Sequence, residues 1–162
     1  PVRTNNYAMM WHSLRAYKAL LGLPFQAPGL AADRWPRDLG CASATFAAKN
    51  ETQGMRPISM SYGFNVEGIS SDVSYVGTRR ERVRNPSRKM MLTDGTDWWL
   101  MKYAAGLYLT VGEAYGAPNY AMTCYRHNLM ANACFFDGHD AATRPDAVIG
   151  CDSFWLIEQS VP

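Results

Sequence analysis

Charge is scarce in this chain. Only 19% of its residues are charged, and 16 Lys and Arg against 14 Asp and Glu leave a net charge of +2. A surface dedicated to nucleic acid is usually far more basic, so no nucleic-acid partner is expected. Long apolar runs are missing too. No stretch approaches the roughly 20 residues that cross a bilayer, so these residues alone do not span one. Familiar catalytic signatures are also lacking: there is no G-x-S-x-G, no H-E-x-x-H, no phosphate-binding P-loop and no G-x-G-x-x-G. Histidine is limited to His12, His127 and His139, and cysteine to Cys41, Cys124, Cys134 and Cys151. No pair of cysteines forms a C-x-x-C knuckle, which argues against a structural zinc site of that kind. The four thiols read either as two disulfides or as buried free cysteines. The chain begins with Pro1 and carries no signal peptide. It therefore reads as a processed piece of something longer, with any leader or anchor upstream.

What is present is apolar material for a core. The 162 residues are 48% hydrophobic, enough for one packed domain over residues 1–162. Tyr7, Met10, Trp11, Leu14, Tyr17, Leu20 and Leu21 recur at steps of three and four. That spacing predicts a helix over Tyr7–Leu21 with one apolar face, ended by Gly22 and Pro24. Pro24 to Asp38 reads as an irregular connection. Met60–Val66, Lys89–Thr93 and Ala131–Phe136 read as strands. Asp137-Gly138 is a turn signal, followed by a short return strand. Arg144-Pro145-Asp146 then opens a helical turn, and Phe154–Ile157 is a last apolar segment. Trp98 to Tyr125 carries seven aromatic residues broken by glycines and Pro118, and reads as a long irregular excursion. One helix followed by short strands, without strand–helix alternation, predicts an α+β domain: a helix packed on an antiparallel sheet with long loops.

Three places offer chemistry. His127 and His139 flank the Ala131–Phe136 strand, with Asp137 and Asp140 nearby, and imidazole with carboxylate can ligate a transition metal or move protons. A strand of about six residues spans about 20 Å, which would hold the two histidines apart. The plainer expectation is that His127 and Asp137 hold loops by hydrogen bonds. Asp94-Gly95-Thr96-Asp97 offers two carboxylates for Ca²⁺, a short and common pattern. Trp98, Trp99, Tyr103 and Tyr108, with Arg79 and Arg80 from the basic run Arg79–Lys89, are candidate ligand-binding residues for a glycan or polyanion. The plainer reading packs those aromatics on the sheet and leaves the basic run in solvent.

The segment RHNLMANACFFDGH, Arg126 to His139, holds a His-x9-Asp-Gly pattern from His127 to Gly138. It resembles the prepilin-type, processing-associated His-x9-Asp-Gly proteins, which are similar to type II secretion pseudopilins. SYGFN (Ser61 to Asn65) and NPSRKMMLTDG (Asn85 to Gly95) resemble segments of the same family in the same order. Cys41 stands where that family often has Cys-Pro. Leu129 and Met130 stand where it usually has small residues. The resemblance covers roughly residues 1–150 in scattered blocks.

The resemblance implies a pilin-like head, its membrane-anchoring N-terminal helix lying outside this chain. It implies a non-catalytic structural and interacting role in a type II secretion or type IV pilus-like system. Partners would be other pseudopilin subunits or secretion components. The full protein would be held in the inner membrane, its head facing the periplasm or cell surface. No cofactor or metal is implied. Asp137 and Gly138 would form the turn after the central strand, with His139 beside them. His127 and Asn128 would pin the preceding loop, and Asp94 would close the neighbouring strand. Two alternatives stand beside this reading. One is a glycan- or polyanion-binding module built on the 98–125 segment. The other is a metal-dependent enzyme using His127, Asp137 and His139.

Overall fold

A computed structural model describes residues 15–23, 33–67, 83–114 and 119–156, with side chains from residue 18 onward. The chain is α+β. Its largest element is a five-stranded sheet in the order β5-β3-β4-β6-β7, from β3 (Tyr62–Asn65), β4 (Met90–Asp94), β5 (Trp99–Leu100), β6 (Ala131–Phe135) and β7 (Asp140–Thr143). A separate antiparallel pair joins β1 (Arg34–Pro36) to β2 (Met55–Pro57). The short helices are α1 (Arg15–Leu20), α2 (Thr45–Lys49), α3 (Tyr108–Val111), α4 (Pro145–Val148) and α5 (Asp152–Trp155). Among the described residues no helix is long and apolar enough to cross a membrane.

The strands expected at Met60–Val66, Lys89–Thr93 and Ala131–Phe136 are β3, β4 and β6, each shifted by a residue or two. In β6, Ala131, Ala133 and Phe135 are buried while Asn132 is exposed, the period-two pattern of a strand with one covered face. The β6–β7 turn follows from Asp137-Gly138. Gly138 has φ +98° and its N–H donates to Phe135 O, closing the hairpin. Between β4 and β6 the register steps from Met90↔Phe135 to Leu92↔Cys134, so Met91 is the extra residue of a β-bulge.

The core lies where β4 and β6 meet the C-terminal helices. Met90, Phe135, Val148, Phe154 and Trp155 share one cluster. Trp155 Nε1 donates to Val148 O. The fully buried Asn65 amide donates to Met90 O and to Trp155 O, tying α5 to the sheet.

Several expectations need correction. The sheet is not wholly antiparallel, because β5 pairs parallel with β3. The Tyr7–Leu21 helix lies largely outside the described residues, and an N-terminal helix packed on the sheet is not among the described elements. Its described end, α1, buries Lys18 and leaves Leu20 80% exposed. The helix closes there, with Gly22 at φ +66° and Leu23 N donating to Lys18 O, so Leu20 sits on a terminal turn. The connection expected over 24–38 contains β1, whose Trp35 is buried; residues 24–32 lie outside the described set. The excursion of 98–125 contains β5, a 3-10 turn over Lys102–Ala104 and α3. All four cysteines are free thiols.

Candidate functional site

Three distant segments converge beside the end of β4. Asp94 is the last residue of that strand, paired in register with Tyr62 of β3. Cys41 precedes α2. His127 starts a two-residue turn just before β6, in which His127 and Met130 exchange both backbone hydrogen bonds at 3.0 Å. Asn128 (φ +53°) and Leu129 (φ +59°) occupy the central positions, as a type I′ hairpin turn requires. The turn carries the His127 ring over the β4 end. There Nε2 lies 3.3 Å from Asp94 Oδ2 and 3.4 Å from Cys41 Sγ. The ligand atoms of Cys41, Asp94 and His127 all lie within 4.8 Å of one another.

Asp94 is fully buried. Its Oδ2 accepts the Asn132 amide at 2.7 Å, and its backbone oxygen accepts the Cys124 amide at 2.9 Å. Its other carboxylate oxygen, Oδ1, has no hydrogen-bond partner. Burial raises the Asp94 carboxyl above its ordinary range, a rise opposed by the Asn132 amide, Arg126 and His127. Burial also raises the Cys41 thiol, and Asp94 adds to that rise. Tyr62, beside both, is pushed up to about 12, chiefly by burial.

Arg126 flanks this cluster. It donates to Gly95 O at 3.0 Å and sits 3.5 Å from the Glu113 carboxylate, with both side chains nearly fully buried. Burial works against the Arg126 charge, but Cys124, Glu113 and Asp94 hold it above its ordinary value. Glu113 also accepts from Thr45 N, Thr45 Oγ1 and Phe46 N. The N-cap position of helix α2 is Ala44, which has no capping side chain. A carboxylate from a remote loop supplies that cap and the favourable charge at the helix start.

The arrangement is not a nucleophile–base–acid relay. Such a relay needs thiol and carboxylate on opposite imidazole nitrogens. Here both face Nε2, and burial holds Cys41 as the thiol, the unreactive form.

The remaining candidates from the sequence serve other contacts. His139 pairs with Asp137 at 2.6 Å in the β6–β7 turn and stacks on Phe135. Among the described residues His127 forms no metal-ligand group with Asp137 and His139; its group is with Cys41 and Asp94. Asp97 is buried and accepts from Trp98 N and Trp99 Nε1, so it and Asp94 serve different partners. Trp98 and Trp99 are half-buried and stack on each other, centroids 5.9 Å apart. Tyr108 packs edge-on against buried Tyr125, whereas Tyr103 is 70% exposed. Arg79 and Arg80 lie outside the described residues. Cys41, Glu113 and Arg126 are not among the site residues expected from the sequence. The signals present were the place of Cys41, where the resembling family often has Cys-Pro, and the inclusion of Arg126 in the Arg126–His139 segment.

Comparison with protein-family models, with curated proteins and with solved structures finds no match to this chain.

Proposed function

We propose that this chain is the structural and interacting head of a pseudopilin-like protein in a type II secretion or type IV pilus-like system, without catalytic activity. The observation that carries the reading is where the three resembling segments meet. SYGFN supplies β3, NPSRKMMLTDG supplies β4, and the His-x9-Asp-Gly segment supplies the turn before β6, β6 itself and the turn after it. These are three neighbouring strands of one sheet. Their marked residues are engaged in the fold: Asp94 receives the Asn132 amide, Asn128 shapes one turn, and Gly138 shapes the other. That engagement supports an architectural role for the pattern. In the full protein a hydrophobic helix would hold this head at the inner membrane, facing the periplasm or cell surface, with sister subunits or secretion components as partners.

The test is fractionation of the source cells with an antibody to this chain, with and without an active prepilin peptidase. The reading expects a membrane-associated product that shortens only when the peptidase is active. A protein found wholly in the cytosol, unchanged in size by the peptidase, would overturn it.

A further inference from the structure

We propose that Cys41, Asp94 and His127 form a binding site for one divalent metal ion of the zinc class, with a fourth position open to water. This goes beyond the structural role proposed above and does not depend on it.

The spacing comes first. In a tetrahedral zinc site, bonds of about 2.0–2.3 Å set neighbouring ligand atoms about 3.3–3.6 Å apart. His127 Nε2 stands 3.3 Å from Asp94 Oδ2 and 3.4 Å from Cys41 Sγ. The convergence on one nitrogen, which defeats a catalytic relay, brings all three ligand atoms within 4.8 Å of one another, close enough for one ion to draw them together. A second observation is independent of those distances. Asp94 Oδ1 is buried without a hydrogen-bond partner, although a buried carboxylate oxygen left unpaired is costly. A cation beside the carboxylate supplies the missing compensation.

The charge count agrees. Arg126 and Glu113 neutralise one another. One thiolate, one carboxylate and a neutral imidazole balance a divalent ion, so the loaded centre carries no net charge. On binding, the Cys41 thiol releases its proton to solvent as the sulfur–metal bond forms. The ligands are also fixed in advance. Asp94 is held by the Asn132 amide, and His127 is carried on a closed two-residue turn. The His127 side chain is 30% exposed, which leaves a path for the ion and for water. Thiolate with imidazole selects zinc-class ions over Ca²⁺ and Mg²⁺.

Cobalt(II) titration of the purified, metal-stripped, reduced chain tests the site. The expected result is one equivalent bound, with a thiolate-to-cobalt charge-transfer band and the strong visible bands of tetrahedral cobalt, displaced by Zn²⁺. Cys41→Ser should abolish the charge-transfer band, and His127→Asn should weaken binding at least tenfold. Cys134→Ser and Cys151→Ser should leave the spectrum unchanged. The wild-type spectrum decides the matter even if a variant fails to fold: no charge-transfer band overturns the proposal. A band that survives in folded Cys41→Ser overturns it equally.

Discussion

The carboxylate of Asp94, at the end of β4, receives the backbone amide of Asn132, the second residue of β6, at 2.7 Å. The contact anchors the two central strands where their main-chain ladder stops. Asp94→Ala removes the acceptor and strands a backbone donor, which costs roughly 1–3 kcal/mol. Asp94→Asn keeps an acceptor oxygen for the same amide and should lose less. Urea denaturation of the three metal-free proteins measures both differences. Equal losses for Ala and Asn would show that this hydrogen bond does not anchor the strands.

Leu129 sits at φ +59° with 66% of its surface exposed. It therefore carries the left-handed penalty of a residue with a Cβ and buries little in return. Leu129→Gly should raise stability by about 0.5–1 kcal/mol, the steric relief being partly offset by the greater freedom of glycine in the unfolded chain. Asn128→Gly should change less, because asparagine tolerates this conformation. Thermal melts of both variants check the pair, and a lower melting temperature for Leu129→Gly would contradict the strain argument.

These turns also explain which parts of the fold were legible. Local signals wrote β6, the Asp137-Gly138 turn and α4, since alternation, a tight-turn dipeptide and a proline at a helix start all act within a few residues. The β1–β2 pair was hidden because each strand is only three residues long and ends in a proline, Pro36 and Pro57. Both are strand ends of an isolated two-stranded pair, where a missing N–H is tolerated. Helix α2 was hidden because its cap comes from Glu113 and not from its own start. The Cys41–Asp94–His127 cluster was illegible for a related reason. It depends on a turn and a strand register that bring remote residues together, and no local spacing encodes that.

Asp97 gives stability a pH dependence with a definite sign. Burial pushes its carboxyl from 3.8 up to about 6, although Trp98 N–H and the Trp99 indole N–H work against the rise. The folded state therefore holds this proton more tightly than the unfolded chain does. The resulting stabilisation is fully present below pH 4 and is lost as pH rises through about 6. The loss amounts to about 1–3 kcal/mol. Buried Asp94 shifts in the same direction, so the diagnostic quantity is the difference between wild type and Asp97→Asn. Denaturation curves from pH 4 to 7 should show a smaller decline in the variant. Parallel declines would exclude Asp97 as the source.

Gly63 and Gly138 are both required, for opposite reasons, and alanine separates them. Gly138 has φ +98° but open space where a Cβ would stand. Gly138→Ala therefore pays only for backbone strain, on the order of 1–2 kcal/mol. Gly63 lies in β3, opposite Thr93 of β4, and its backbone needs no special conformation. A Cβ there would collide with the backbone oxygen of Asp97 and lie 2.5 Å from Leu100 Cγ. The Leu100 side chain has no room to retreat, being fully buried in the core. Relief would require β5 and the Asp97 turn to move off β3, breaking the parallel pairing of Phe64 with Trp99 and Asn65 with Leu100. Gly63→Ala should thus cost about 2–4 kcal/mol, more than ordinary overpacking. It should also speed amide exchange at Phe64 and Val66, whose N–H groups donate to Trp98 O and Leu100 O. Gly138→Ala should leave those two amides as protected as in wild type. If Gly63→Ala were the milder substitution, or left Phe64 and Val66 protected, the close approach of β5 to β3 would be wrong.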